Sequence, residues 1–184
     1  NNNNINNKIA VKNYLKQLGL SKEVTAGIMG NIEIESGFKL GALYEVDTNN
    51  APSLGLIQWN KNSYPDVFKR YNIDKTFNTV NEQMDYLIKM KSYKTFIDST
   101  KKIQNIDEQY AAFLFAHYVE VCCGCANTKG YTTLEQIYAG PYTNGWKCPQ
   151  NDPNAKTFFP HKRSQAASQF LKRFNTSNDS LYWN

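Results

Sequence analysis

The sequence predicts an α+β domain, mainly α, with one small β-hairpin beside a helix that ends in an acid. Apolar residues recur at helical spacing through most of the chain. That spacing breaks off between Gly37 and Trp59, and the run Asp47 to Ser53 inside the break is rich in turn formers. With 184 residues, 41% hydrophobic and 14% aromatic, the chain suffices for one domain with its own core. No run approaches a membrane span or a secretory leader.

Taken in order, residues 1–7, NNNNINN, form a low-complexity polar lead that reads as a linker and suggests other modules in a longer chain. The domain proper is expected over 8–174. Ile5, Ile9, Leu15 and Leu18 stand close to helical spacing, and Gly19 ends this first helix. Ser21 is the predicted N-cap of a second helix over 22–35, on which Val24, Ile28, Ile32 and Glu35 share one side at about 100° per residue. Glu33 falls about half a turn away and should face water. Glu35 lies where the helix dipole disfavours negative charge, with Gly37 as C-cap. Burial and dipole both favour its protonated form, which a general acid near neutral pH requires. From the helix alone, a glutamate fraying into solvent is an equal alternative. Gly27 and Gly30 each cost roughly 1 kcal/mol in a helix unless a neighbouring backbone needs the space. Asn31 points to the apolar side, where its amide must find partners; bracing the Glu35 region is the first reading and substrate contact the second.

Beyond Gly37, Leu43–Asp47 and Leu56–Trp59 read as two extended pieces of a hairpin that brings Asp47, Gln58 and Trp59 opposite the end of the Glu35 helix. Helices follow at Pro65–Tyr71, from the capping box of Thr79 and Glu82 to Met90, and at Ile106–Val121, the last being the most apolar and the expected centre of the lobe. His117 on that face reads as a core histidine, for no Ser or Cys partner stands at a recognisable spacing. The cluster Cys122, Cys123 and Cys125 with the distant Cys148 favours one disulfide from cluster to Cys148, then free thiols, then zinc. Tyr131–Ala139 reads as a short helix, and 140–160 as a long aromatic loop. Lys162–Phe174 reads as an amphipathic helix with Ala166, Ala167, Phe170, Leu171 and Phe174 inward, and 175–184 as a tail or linker.

The order of helix, Glu35-Ser36-Gly37, turn and Gly55-Leu56-Ile57-Gln58 resembles the lysozyme-like superfamily of goose-type lysozymes and lytic transglycosylases. Gly27-Ile28-Met29-Gly30-Asn31 before the glutamate and Gly55 to Trp59 after it resemble the phage tail lysozyme family more closely. The likeness is sharp over 24–60 and loose over 105–174. It implies a lysozyme-like fold and a muramidase of a phage tail or similar wall-penetrating machine, cleaving the β-1,4 bond from N-acetylmuramic acid to N-acetylglucosamine with Glu35 as acid. It further implies Ser36, Gln58, Trp59, Tyr118 and Glu120 along the cleft, bacterial peptidoglycan as partner, the virion tail as location, and no cofactor or metal.

The second carboxylate stays open among Asp47, Glu45 and none. Goose-type lysozymes place one aspartate after the glutamate, which Asp47 resembles, and another just beyond the Gln segment, where this chain has Asn60. That departure leaves hydrolase against lytic transglycosylase open. A net charge of +5 suits an anionic wall; its lysines are scattered singly and no nucleic-acid motif is present. A glycan-binding tail module without chemistry would gain nothing from a buried acid, and an endopeptidase would want a Cys-His pair or a zinc set that the spacing does not supply.

Overall fold

A computed structural model describes residues 2–45, 51–120 and 160–184. In chain order these form α1 (Asn2–Gln17), α2 (Lys22–Ser36), β1 (Leu43–Tyr44), β2 (Ser53–Leu54), β3 (Trp59–Asn60) and α3 (Pro65–Lys69), which runs into a π turn over Arg70–Asp74. Next come α4 (Val80–Lys89), α5 (Lys91–Lys101), α6 (Glu108–Phe115) with a π turn over Ala116–Glu120, and α7 (Pro160–Phe174). The architecture is the mainly helical α+β arrangement read from the sequence. Among the described residues no helix is long and apolar enough to cross a membrane.

Helix α2 is the axis of the domain. Ser21 Oγ caps it by accepting from the Val24 N–H at 3.2 Å, and Gly37, at φ +58°, closes it by donating to Glu33 O at 3.0 Å. Every residue from Val24 to Ile32 is buried, so this middle stretch of the helix is enclosed on all sides where the periodicity predicts a stripe. The small residues explain how. A Cβ at Gly27 would come within 2.7 Å of Ala111 Cβ on α6, and one at Gly30 within 2.5 Å of Arg163 O on α7. The two glycines thus let one helix on each side approach backbone to backbone, which is the use expected of them. Helices α2, α6 and α7 form the central cluster, and α1 covers α2 and α4.

The Asn-rich start, read as a linker from its composition, is helical from Asn2 onward. Ile5 and Ile9 pack on the core, and Asn7 Nδ2 donates to Phe38 O at 2.9 Å; this packing overrides the weak helix propensity of asparagine. Residues 175–184 also lie on the fold. Leu181 is buried, Lys12 Nζ donates to Tyr182 O at 2.7 Å, and Trp183 N–H donates to Phe174 O at 2.9 Å. Glu33, expected in water, is half-exposed with Oε2 3.7 Å from Lys8 Nζ of α1.

The predicted hairpin is a three-stranded antiparallel sheet in the order β1-β2-β3, with Leu43 opposite Leu54 and Leu54 opposite Trp59. Leu56 and Ile57, expected in a strand, form the turn from β2 to β3. Gly55 and Gln58 reverse the chain there at φ +92° and +57°. Helix α5 was not anticipated, although Tyr93, Phe96 and Thr100 on its buried side do follow helical spacing.

Candidate active site

Glu35 occupies the last turn of α2, its side chain 14% exposed, and Arg163 of α7 is fully buried against it. Arg163 Nη2 donates to Glu35 Oε1, while Arg163 Nη1 donates to Asn31 Oδ1 at 2.8 Å. Asn31 in turn donates through Nδ2 to Gly27 O at 3.0 Å and to Ala112 O at 2.9 Å. Both amide protons and the amide oxygen are therefore engaged, and the donor-only guanidinium dictates which way the amide points. Asn31 joins α2 to α6 and α7 and aims Arg163 at Glu35, which is the bracing role expected of it. The sequence placed no cation beside Glu35; the tertiary structure places a buried one there.

Glu120 lies within the electrostatic reach of this pair. It ends the π turn after α6, and the wider i to i+5 winding re-aims the residues that follow α6. Its Oε1 is buried without a hydrogen-bond partner. Burial pushes the Glu120 carboxyl well above its ordinary range, the charge of Glu35 adds to the rise, and Arg163 opposes it. Tyr64, just ahead of α3, is the fifth residue. Burial raises its phenol and the field of Glu120 raises it further, so α2, α6, α7 and the start of α3 converge here.

The remaining predicted site residues lie at the end of α2, in the sheet and on the π turn after α6. Ser36 Oγ donates to Leu56 O at 2.7 Å and to Ile32 O at 3.1 Å, tying the end of α2 to the β2–β3 turn. Gln58 Nε2 donates to Ala42 O at 2.9 Å and Gly55 O at 3.0 Å, within the sheet. Trp59 is buried; its indole N–H donates to Met90 Sδ at 3.3 Å, and Phe77 and Tyr86 pack edge-on against its ring. In this arrangement the Trp59 ring is core and presents no face to a sugar. Tyr118 is half-buried in the π turn, its ring 4.7 Å from that of His117, and His117 stacks on Phe113. Glu45 is exposed at an open hollow shared with Leu43, Leu54, Phe68 and Tyr71. Asp47, the four cysteines, the helix expected at Tyr131–Ala139 and most of the 140–160 loop lie outside the described residues.

A family model described as phage tail lysozyme matches residues 6–138. The chain belongs to the phage tail lysozyme family. No curated protein and no solved structure matches it. Membership carries a peptidoglycan-lytic activity of the glycosidase kind and a virion-associated role at the bacterial wall. The matched segment holds Asn31, Glu35, Tyr64 and Glu120, whereas Arg163 lies beyond its end.

Three residues of this constellation were not singled out from the sequence. Arg163 carried a usable signal. It stands three, four, seven and eleven residues before Ala166, Ala167, Phe170 and Phe174, so it occupies the apolar stripe of α7 as Glu35 does that of α2. Gln83 had none. It accepts from Leu56 N–H at 2.8 Å and donates to Leu40 O at 2.8 Å and Phe77 O at 2.9 Å, fixing the turn from α4 through contacts between distant segments. Tyr64 likewise meets Glu120 only through tertiary packing.

Proposed function

We propose that this chain is a muramidase of a phage tail, cleaving the β-1,4 bond between N-acetylmuramic acid and N-acetylglucosamine with Glu35 as the general acid. The observation that carries the reading is the position of Glu35. It is a slightly exposed carboxyl in the last turn of a helix whose middle is buried, held by a buried guanidinium that an amide orients. Pre-organisation of this kind serves chemistry more than glycan binding, which has no use for an acid fixed by a buried counter-ion.

In this reading Ser36 and Gln58 hold the β2–β3 turn at one wall of the cleft, with Trp59 as the pillar behind it, and Tyr118 and Glu120 border the opposite wall. Asp47 is the general base. It would hold a water on the far face of the sugar, with carboxyl groups ~6.5–9.5 Å apart as in an inverting hydrolase. If the sugar's own hydroxyl attacks instead, the enzyme is a lytic transglycosylase and Asp47 is a turn residue.

Mass analysis of digested, purified peptidoglycan tests the assignment. Reducing muramic ends are expected from the parent protein, and no product from Glu35→Gln, whose amide keeps the shape but cannot deliver a proton. The circular dichroism of the variant should match the parent's. Wall clearing by Glu35→Gln at more than about a tenth of the parental rate is incompatible with an acid role, which is worth 10²–10⁴-fold. Anhydromuramic ends would select the transglycosylase.

A further inference from the structure

Glu120 is the group that the acid role of Glu35 leaves unexplained. Its Oε1 is buried without a partner, yet it shares the field of one guanidinium with Glu35. Were both carboxyls ionised, two negative charges would face one cation among the described residues, and one of them would have a buried oxygen without a hydrogen-bond partner. A buried charge in that state neutralises by taking a proton. Glu35 meets Arg163 in an ion pair, whereas burial and the charge of Glu35 both drive Glu120 towards its neutral form.

We propose that Glu35 and Glu120 work as a pair sharing one proton around the Arg163 guanidinium, Glu120 holding it at rest and Glu35 delivering it to the leaving oxygen. The proposal rests on the reading of Glu35 as the acid. The proton leaves Glu120 and arrives on Glu35, directly or through one water. Glu120 is then the carboxylate and Arg163 its counter-ion, so this transfer within the pair leaves one negative and one positive charge in place, and both carboxyls are ionised only between delivery of the proton and its replacement. Glu35 next gives its proton to the glycosidic oxygen as the bond to the sugar carbon breaks. The water or sugar hydroxyl that adds to that carbon releases a proton, which refills the pair. Two interacting carboxyls of this kind titrate in macroscopic steps that belong to the pair.

Among the described residues, further titratable groups stand on the turn that carries Glu120 and on the elements around it. Tyr64 and Tyr93, the latter on α5 packed against the π turn, are phenols held up by burial, Tyr93 to about 12. His117 and Tyr118 lie on the turn itself.

The test is Glu120→Gln, which reproduces the shape of the neutral carboxyl but has no acidic proton. A filler role predicts parental kinetics for it. The pairing predicts that kcat falls by about tenfold or more with KM within about twofold, and that the pH profile loses one limb, as when a proton-transfer group is removed. Parental kcat and an unchanged profile would falsify the pairing. If the variant does not fold by circular dichroism, carbon-13 titration of the glutamate carboxyls in the parent decides. Two interdependent steps support the pair, and independent single-step curves overturn it. Inactive Glu35→Gln beside parental Glu120→Gln removes the pairing and leaves the acid assignment standing, whereas active Glu35→Gln removes the acid assignment itself.

Discussion

Asn31 and Arg163, 132 positions apart, are joined by a 2.8 Å hydrogen bond in the buried centre of the domain, and the guanidinium so held reaches Glu35. One amide thereby couples the junction of three helices to the geometry of the candidate acid.

Asn31→Ala is expected to affect both. It orphans a guanidinium proton and removes the donors to Gly27 O and Ala112 O. Leaving such groups unsatisfied costs about 1–3 kcal/mol each, so a loss on the order of 3 kcal/mol is expected in urea unfolding. Lysis should fall further than stability explains, because Arg163 loses its anchor; activity per folded molecule equal to the parent's would refute this link.

Gly30→Ala should act from the far side of the same contact. The added methyl would come within 2.5 Å of Arg163 O and 2.7 Å of Ala167 N, which are backbone atoms that cannot swing away. Overpacking of this kind typically costs about 1–3 kcal/mol, and it should push α7 outward, withdrawing Arg163 from Glu35. The melting temperature and kcat are predicted to drop together. A stabilised variant, as expected of alanine in an uncrowded helix, would contradict the close crossing.

Glu120 predicts how stability changes with pH. A carboxyl raised in the folded chain binds its proton more tightly there than in the unfolded chain. Its contribution is full below the unfolded value and is lost as pH rises through the folded value. Glu120 is raised well above 4.5, so the loss sets in above about 4.5 and continues upward. Glu120→Gln cannot titrate and escapes it. The melting temperature of the variant minus that of the parent should therefore grow with pH above that point; parallel curves would show that Glu120 is not neutral in the folded chain.

Trp59→Phe separates the two readings of the aromatic residue that ends the Gly55–Gln58 turn. The indole N–H contact with Met90 and part of the packing on Phe77 and Tyr86 are lost, so a destabilisation of roughly 1–3 kcal/mol is expected. KM for peptidoglycan fragments should stay at the parental value. A KM increase without loss of stability would return Trp59 to the sugar cleft.

Local chemistry made much of this protein legible from its sequence. Ser21, Gly37 and the pair Thr79 and Glu82 mark helix ends because capping involves neighbours in the chain, and the structure shows Thr79 Oγ1 accepting from Glu82 N–H at 3.1 Å. Gly27 and Gly30 announced close crossings because a helix tolerates glycine only for a reason. Glu35 stood out because a carboxyl on an apolar stripe is costly unless used. The same logic applies to Arg163, a charge on the stripe of α7. What periodicity does not carry is which two stripes meet: the 132-residue separation from Asn31 to Arg163 is bridged only by folding. The tertiary structure alone decided that Glu35 has a buried counter-ion in Arg163, since ion pairing depends on distance in space. It also decided that Trp59 is buried in the core and that the asparagines at the start are helical, because burial against distant segments outweighs what a residue type favours by itself.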